Sequence, residues 1–395
     1  MRFWAAGLLA GLLLASCGSI RVSTVWTDVP EIASYVETFN ASQRDWQVLV
    51  EFKDDATAAL LAAGPKPDLI VARGPLSSSV RAALAPVDFL FGGSLSRASF
   101  YQGILDAGLD GNQAKMVPVS FDLPVLLFNR TAQPDLAGFS VNLATLRDLN
   151  EQFAKTPSSL PRRMAFSPRW GGFGLTVLHL DGAGFHEGFQ GDLAWDSAAL
   201  SRALAEFQNW PSPGWDQTAD FRRKYLQTDP GPSLSAGRIQ FYPSTLAAFL
   251  ARPWDERRNL DFRFVDRGRV AASQTTVWAG IPTGAEARGA AEHFLAWFFH
   301  PEVQERLVRQ DRDQGADFGL ADGVPALVGD ALVKAYPELE HRLPASDQVL
   351  FWPALPEDWN TLESSVLRPW LATAAANESS LRTAIGKWQS QSSGN

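Results

Sequence analysis

Met116–Arg130 reads MVPVSFDLPVLLFNR. Two short extended runs, Met116–Val119 and Leu123–Phe128, flank a polar Ser120-Phe121-Asp122. Val, Leu and Phe crowd both runs, and Pro118 and Pro124 disfavour helix at the residue before each. A strand that leaves one hydrophobic layer and enters another, bent by prolines, is what a crossing between two lobes requires. Taken alone, the stretch fits an ordinary strand–turn–strand within one domain equally well. The flanking sequence has to decide.

Upstream, strand-like and helix-like segments alternate. Ile20–Trp26 reads as a strand, and Asp28 is placed to cap a helix running to Asn40, with Ile32, Val36 and Phe39 on one face. Trp46–Phe52 is a strand, Ala56–Ala63 a helix stopped by Gly64, Asp68–Ala72 a buried strand, and Leu76–Leu84 a helix. This βαβαβ order predicts an α/β fold with a mostly parallel sheet flanked by helices. Ligands of such sheets gather beyond the carboxyl ends of the strands, where helix-start N–H groups are available. Trp26-Thr27-Asp28 and Ala72-Arg73-Gly74 occupy two such ends.

Downstream, Leu143–Phe153 reads as a helix capped by Asn142 and Arg163–Ser167 as a strand. The loop Arg169-Trp170-Gly171-Gly172-Phe173-Gly174 then opens a helix. Arg238–Tyr242 is a strand running into Pro243-Ser244-Thr245, with Pro243 early in the next helix. Leu260–Val265 and Thr275–Ile281 are extended runs that suit a return crossing, and amphipathic helices follow over Ala285–Phe299 and Pro301–Arg309. Leu362–Leu371 and Leu381–Trp388 read as closing helices.

A length of 395 residues exceeds what one core comfortably fills, so two domains are expected. The net charge of −8 and the absence of a Lys/Arg run remove the electrostatic footprint of a nucleic-acid binder. Residues 1–16 read as a signal peptide: Arg2, then the apolar Phe3–Leu14, then small residues ahead of Cys17. The apolar run is too short for a stable membrane span. Leu14-Ala15-Ser16-Cys17 looks like a bacterial lipobox, with Cys17 lipidated and residues 17–19 a short tether holding the body against a membrane. Cys17 is the sole cysteine, so no disulfide competes for it. His179 and His186 lie near the Gly-rich loop without an acidic partner at ligand spacing, and neither a metal site nor a cofactor is expected.

The order and spacing of six segments resemble the extracellular solute-binding proteins of ABC importers, the maltose-binding-protein-like group (family 1). They are VWTDVPEIASYVETFNAS, PDLIVARG, VPVSFDLPVLLFNR, LSAGRIQFYPSTLAAF, TTVWAGIPTGAEARGAAEHFLAWFFHPEVQERLV and GVPAL. The resemblance implies a two-lobe fold, each lobe a mostly parallel sheet flanked by helices and joined by hinge strands. Residues 20–119 plus 275–318 would form lobe one, residues 120–274 plus 319–390 lobe two, and 391–395 a polar tail. It also implies a small polar solute in the cleft, above all a sugar or oligosaccharide, and delivery to a permease in the cytoplasmic membrane. The protein would be a monomeric, non-enzymatic component of the cell envelope, lipid-anchored to the outer face of that membrane or in the periplasm.

Ligand contacts are expected from Trp26, Thr27, Asp28, Arg73 and Gly74 on lobe one, Asp122 in the crossing, Trp170, Gly171, Gly172, Tyr242 and Ser244 on lobe two, and Trp278 in the return strand. Several have a structural alternative. Asp28 can be a helix cap, Arg73 a surface ion pair and Asp122 a turn cap, while Trp170 and Trp278 can be core side chains. Two other functions remain open: a sensor or adhesin on the same fold, and an exported glycosidase using paired carboxylates.

Overall fold

The computed structural model describes residues 21–392 except 75, 94, 134–135, 137, 154–162, 211–214, 228, 266, 316–317 and 374. The signal segment and Cys17 lie outside the described residues, as does the end of the polar tail.

Met116–Arg130 is a crossing. Val117–Phe121 belongs to one sheet and Pro124–Asn129 to another, with only Asp122 and Leu123 between them. The first sheet runs Val324–Pro325, Val117–Phe121, Val277–Pro282, Leu69–Arg73, Arg21–Thr27, Trp46–Phe52, with Leu84–Ala85 beside the end of Val277–Pro282. The second runs Phe241–Thr245, Pro124–Asn129, Leu260–Val265, Ser140–Val141. Helices pack on both, giving the expected two-lobe α/β architecture.

The expected parallel pairing holds only in part. Arg21–Thr27 is parallel to both of its neighbours, but every other pair in the first sheet is antiparallel. The second sheet is antiparallel except at Leu260–Val265 with Ser140–Val141. Parallel neighbours need a crossover connection, usually a helix, which the N-terminal βαβαβ run supplies. Strands that arrive from the other lobe are free of that constraint.

Two further passages lie against the first. Ser273 N–H donates to the Asp122 carbonyl at 2.8 Å, and Gly74 N–H to the Thr276 carbonyl at 3.1 Å, so the return strand is stitched to the first crossing and to lobe one. Val349–Leu350 pairs with Val270–Ala271, and Ala272 N–H donates to the Leu350 carbonyl. This last passage corrects the expected start of lobe two at 319. Val324–Pro325 adds to the edge of the first sheet, Phe100 bridges to Leu327, and Ser346 Oγ donates to the Phe100 carbonyl. A two-residue strand after a glycine loop is too short to carry a visible alternation pattern.

The cores follow from residue type. Val277–Pro282 and Val117–Phe121 are buried at every position, as strands covered on both faces must be. Ile32, Tyr35, Val36 and Phe39 form the buried stripe of the first helix, and Phe39 meets Phe294 and Trp297 edge-on. Three local expectations change. That helix runs Ile32–Ser42, behind Glu31, so Asp28 does not cap it. Arg163–Ser167 is not a strand, although Ala165 accepts the N–H groups of Gln240 and Phe241. The neighbouring strand is Phe241–Thr245, with Pro243 inside it; an edge strand tolerates the missing N–H.

Candidate functional site

The parallel strands Arg21–Thr27, Trp46–Phe52 and Leu69–Arg73 deliver their carboxyl ends to the gap between the lobes. Asp28 follows the first. Its carboxylate accepts the N–H of Arg73 at 2.8 Å and of Ala56 at 3.5 Å, tying three loops together. Burial raises its pKa, opposed by those N–H groups. Arg73 pairs with Glu31 at 3.5 Å and donates to the Ala321 carbonyl. Gly74 has φ 118°, a conformation that needs glycine, and a methyl built there would lie 4.0 Å from Asn360 Nδ2 on the opposite lobe.

The facing wall is a helix that begins at Trp359–Leu362 and ends at Arg368–Leu371, with a π turn over Glu363–Leu367 between them. Pro369 cannot donate a helical hydrogen bond, and Arg368 N–H reaches back to the Glu363 carbonyl. The turn brings the two side chains together: Glu363 Oε1 accepts from Arg368 Nε at 2.9 Å and Nη2 at 2.7 Å. Gly172 caps the helix Phe173–Leu180 beside that guanidinium, a Cβ there lying 3.7 Å from Nη2.

Two spaces meet here. One, of about 470 Å³, is lined from lobe one by Asp28, Asp54, Asp55, Arg73, Gly74 and Ser77, and from lobe two by Glu357 and Asn360. The other, of about 270 Å³, is lined by Gly172, Phe173, Thr176, Ser244, Trp352 and Arg368. Gln274, Thr275 and Glu363 line both, so the two are continuous along the hinge. Across the gap, Ser78 offers its N–H and its hydroxyl to the two oxygens of Glu187, each at 2.7 Å.

Of the residues singled out in the sequence, Asp28, Arg73, Gly74, Gly172 and Ser244 line this cleft. Thr27 is buried, its hydroxyl accepting Val29 N–H. Trp26 lies away from the cleft lining, its Nε1 on Glu51 and Lys53 Nζ 4.2 Å above the ring. Asp122 faces inward, accepting Leu123 and Ala247 N–H groups. Trp170, expected as a stacking face, is 1% exposed and packs among Phe166, Phe221 and Tyr242. Gly171, the next residue, has φ 57°, a left-handed turn that suits glycine. Tyr242 is half-buried against the same ring. Trp278 is 1% exposed and meets Phe351 edge-on; its alternative reading as core is the one the packing favours.

Sequence reasoning missed the hinge-side residues. Trp359 Nε1 donates to Gln274 Oε1 at 2.7 Å and so fixes that amide in the cleft. Trp352, unplaced from sequence, stacks on His179 at 3.9 Å and anchors its Nε1 on the Ala272 carbonyl. Burial pulls the His179 pKa down to about 4, so the ring is neutral at pH 7. Pro369 inside an apolar helical run was the readable signal for the π turn. Nothing local announces Gln274 or Asn360.

No protein-family model matches the chain, and no curated protein matches its sequence. Solved structures do. The chain is similar to the sugar-binding protein MalE from Xanthomonas citri, with 15% identity, 94% of this chain and 96% of that one covered, and a TM-score of 0.67. An ABC substrate-binding protein from Listeria monocytogenes in complex with cycloalternan gives 14% identity, 94% and 99% coverage and a TM-score of 0.65. The galacto-N-biose/lacto-N-biose I-binding protein of an ABC transporter from Bifidobacterium longum gives 14%, 94% and 98%, and 0.62. At these identities the likeness is one of fold: the chain has the two-lobe architecture of periplasmic solute-binding proteins over nearly its whole length.

Proposed function

We propose that this chain is the solute-binding component of an ABC importer, holding a sugar or oligosaccharide between its lobes and delivering it to a permease in the cytoplasmic membrane. The observation that carries the reading is the continuous interlobe cleft, set at strand carboxyl ends and hinged at three adjacent passages. Solved structures of the same architecture include saccharide-binding proteins. Asn360, Gln274, Thr275 and Ser244 offer both donors and acceptors, which suits a ring of hydroxyl groups. A solute touching both walls favours the closed arrangement over the open one, and that difference is the signal a permease would read. No chemistry is asked of the carboxylates, so the solute leaves as it entered.

The membrane tether belongs to the same proposal. Lipidated Cys17, next to a short Gly18-Ser19 link, holds the body at the outer face of the membrane. Cys17→Ser should move the protein from the membrane fraction to the soluble one; persistence in the membrane would remove the lipid anchor. The binding itself is tested by a thermal-shift screen of the purified full-length chain against mono- and oligosaccharides, amino acids, polyamines and sugar acids. A ligand at 100 times its Kd adds about 2.7 kcal/mol to the folded state. A shift of several degrees with saccharides is expected; shifts confined to non-carbohydrates would discard the sugar and leave the transport role.

A further inference from the structure

The charges of the cleft do not balance. Asp28, Asp54, Asp55, Glu357 and Glu363 line it, against Arg73 and Arg368. Both cations are already engaged, Arg73 by Glu31 and Arg368 by Glu363. Counting Glu31 with its partner, six carboxylates face two guanidinium groups, a net charge of −4 (2 − 6). Among the described residues no basic side chain lies within ion-pair distance of Asp54, Asp55 or Glu357.

Around the larger space, the helix starts that ordinarily hold an anion are also taken. Asp55 accepts Ala58 N–H and Asp28 accepts Ala56 N–H at the start of the helix Ala56–Leu61. Glu187 accepts Ser78 N–H at the start of the next helix. In the larger space an anionic solute would meet repulsion and no unengaged cation. A metal ion is no better served: no group of three or more His, Cys, Asp or Glu side chains among the described residues converges closely enough to hold one. Carboxylates spread around a space of about 470 Å³ suit a larger organic cation.

Aromatic platforms are correspondingly few. Phe173 and Trp352 are 4% and 3% exposed, and no aromatic side chain lines the larger space. We infer that the solute is an amine-bearing saccharide, its ammonium group set between Asp54 and Asp55 of lobe one and Glu357 of lobe two and its hydroxyl groups on Asn360, Gln274 and Thr275. This inference rests on the saccharide reading and adds the charge. An excess of negative charge in a partly enclosed gap also steers a cationic solute toward it at low ionic strength.

The test is calorimetric titration of the full-length protein with glucosamine di- and trisaccharides carrying free amines, and with their N-acetylated counterparts. The free amines should bind at least tenfold more tightly, with the preference shrinking as salt is raised. Asp54→Asn combined with Glu357→Gln should abolish that preference; neither carboxylate makes a hydrogen bond or ion pair among the described residues, so the fold is untouched. Equal or better binding of the N-acetylated sugars would overturn the cationic assignment and leave saccharide binding standing. Failure of both sets would overturn the assignment and, if neutral saccharides also failed, the function beneath it. Binding of a polyamine with no saccharide binding would remove the sugar alone.

Discussion

Asp122 accepts the Leu123 and Ala247 N–H groups with one oxygen, at 2.7 and 3.0 Å, at the point where the chain leaves the first lobe. Burial pushes its pKa up to about 6, against the lowering effect of these N–H groups and the Thr245 hydroxyl, and nearby Asp322 adds to the rise. The folded protein therefore holds this proton more tightly than the unfolded chain, whose value is near 3.8. The stabilisation is fully present below about pH 4 and lost as pH rises through about 6, on the order of 3 kcal/mol at about 1.4 kcal/mol per unit. Asp122→Asn keeps the accepting oxygen and removes the titration, so urea midpoints at pH 4, 5, 6 and 7 should vary less with pH than in the parent. An unchanged slope would relocate the effect to other groups. Trp170 is the opposite lesson. Its neighbouring glycines made it look like an exposed platform, yet the ring packs in the core among Phe166, Phe221 and Tyr242. Trp170→Ala should lower stability by about 3–5 kcal/mol through the cavity it leaves, measured by denaturant unfolding; a loss below about 1 kcal/mol would contradict the buried placement. Which way a side chain beside a glycine turn points is decided by packing partners such as Phe221 and Tyr242, which lie far away in sequence.

At the scale of elements, the helix–strand alternation of the N-terminal third was readable because each segment has its own period and its own stop. The Met116–Arg130 crossing was readable only with its flanks, since two proline-bounded apolar runs fit a strand–turn–strand within one domain equally well. Pairing partners were not, since antiparallel neighbours such as Val117–Phe121 and Val277–Pro282 are more than 150 residues apart in sequence and meet only through the hinge. The contact between Ser78 and Glu187 was equally invisible. It joins the start of a helix on one lobe to a short strand on the other with two hydrogen bonds to a charged group. These bonds favour the closed arrangement, and their exposure limits them to about 1 kcal/mol, or roughly a fivefold change in the open–closed ratio. Glu187→Ala should enlarge the radius of gyration of the ligand-free protein in small-angle scattering and weaken ligand binding a few-fold. Identical scattering and affinity would show that the contact does not hold the lobes.

For the whole molecule, the two-lobe architecture followed from the order of segments, and the cleft followed from the architecture. Most of its lining did not, in part because Gln274, Asn360, Glu357 and Arg368 come from hinge and closing elements that converge only in three dimensions. What those residues surround is the interlobe cleft proposed to hold an intact saccharide. Gly172 has ordinary backbone angles, and a Cβ there meets only the end of the flexible Arg368 side chain, at a contact distance of 3.7 Å, so Gly172→Trp can place a ring in the cleft without straining the backbone. The decisive measurement is equilibrium dialysis of the parent and of Gly172→Trp against a mixed saccharide pool, with retained material identified by mass spectrometry. The account predicts one saccharide retained per parent chain, chemically unchanged, and little or none retained by the variant. Retention that survives the substitution, cleavage of the sugar, or no saccharide held by the parent would contradict it.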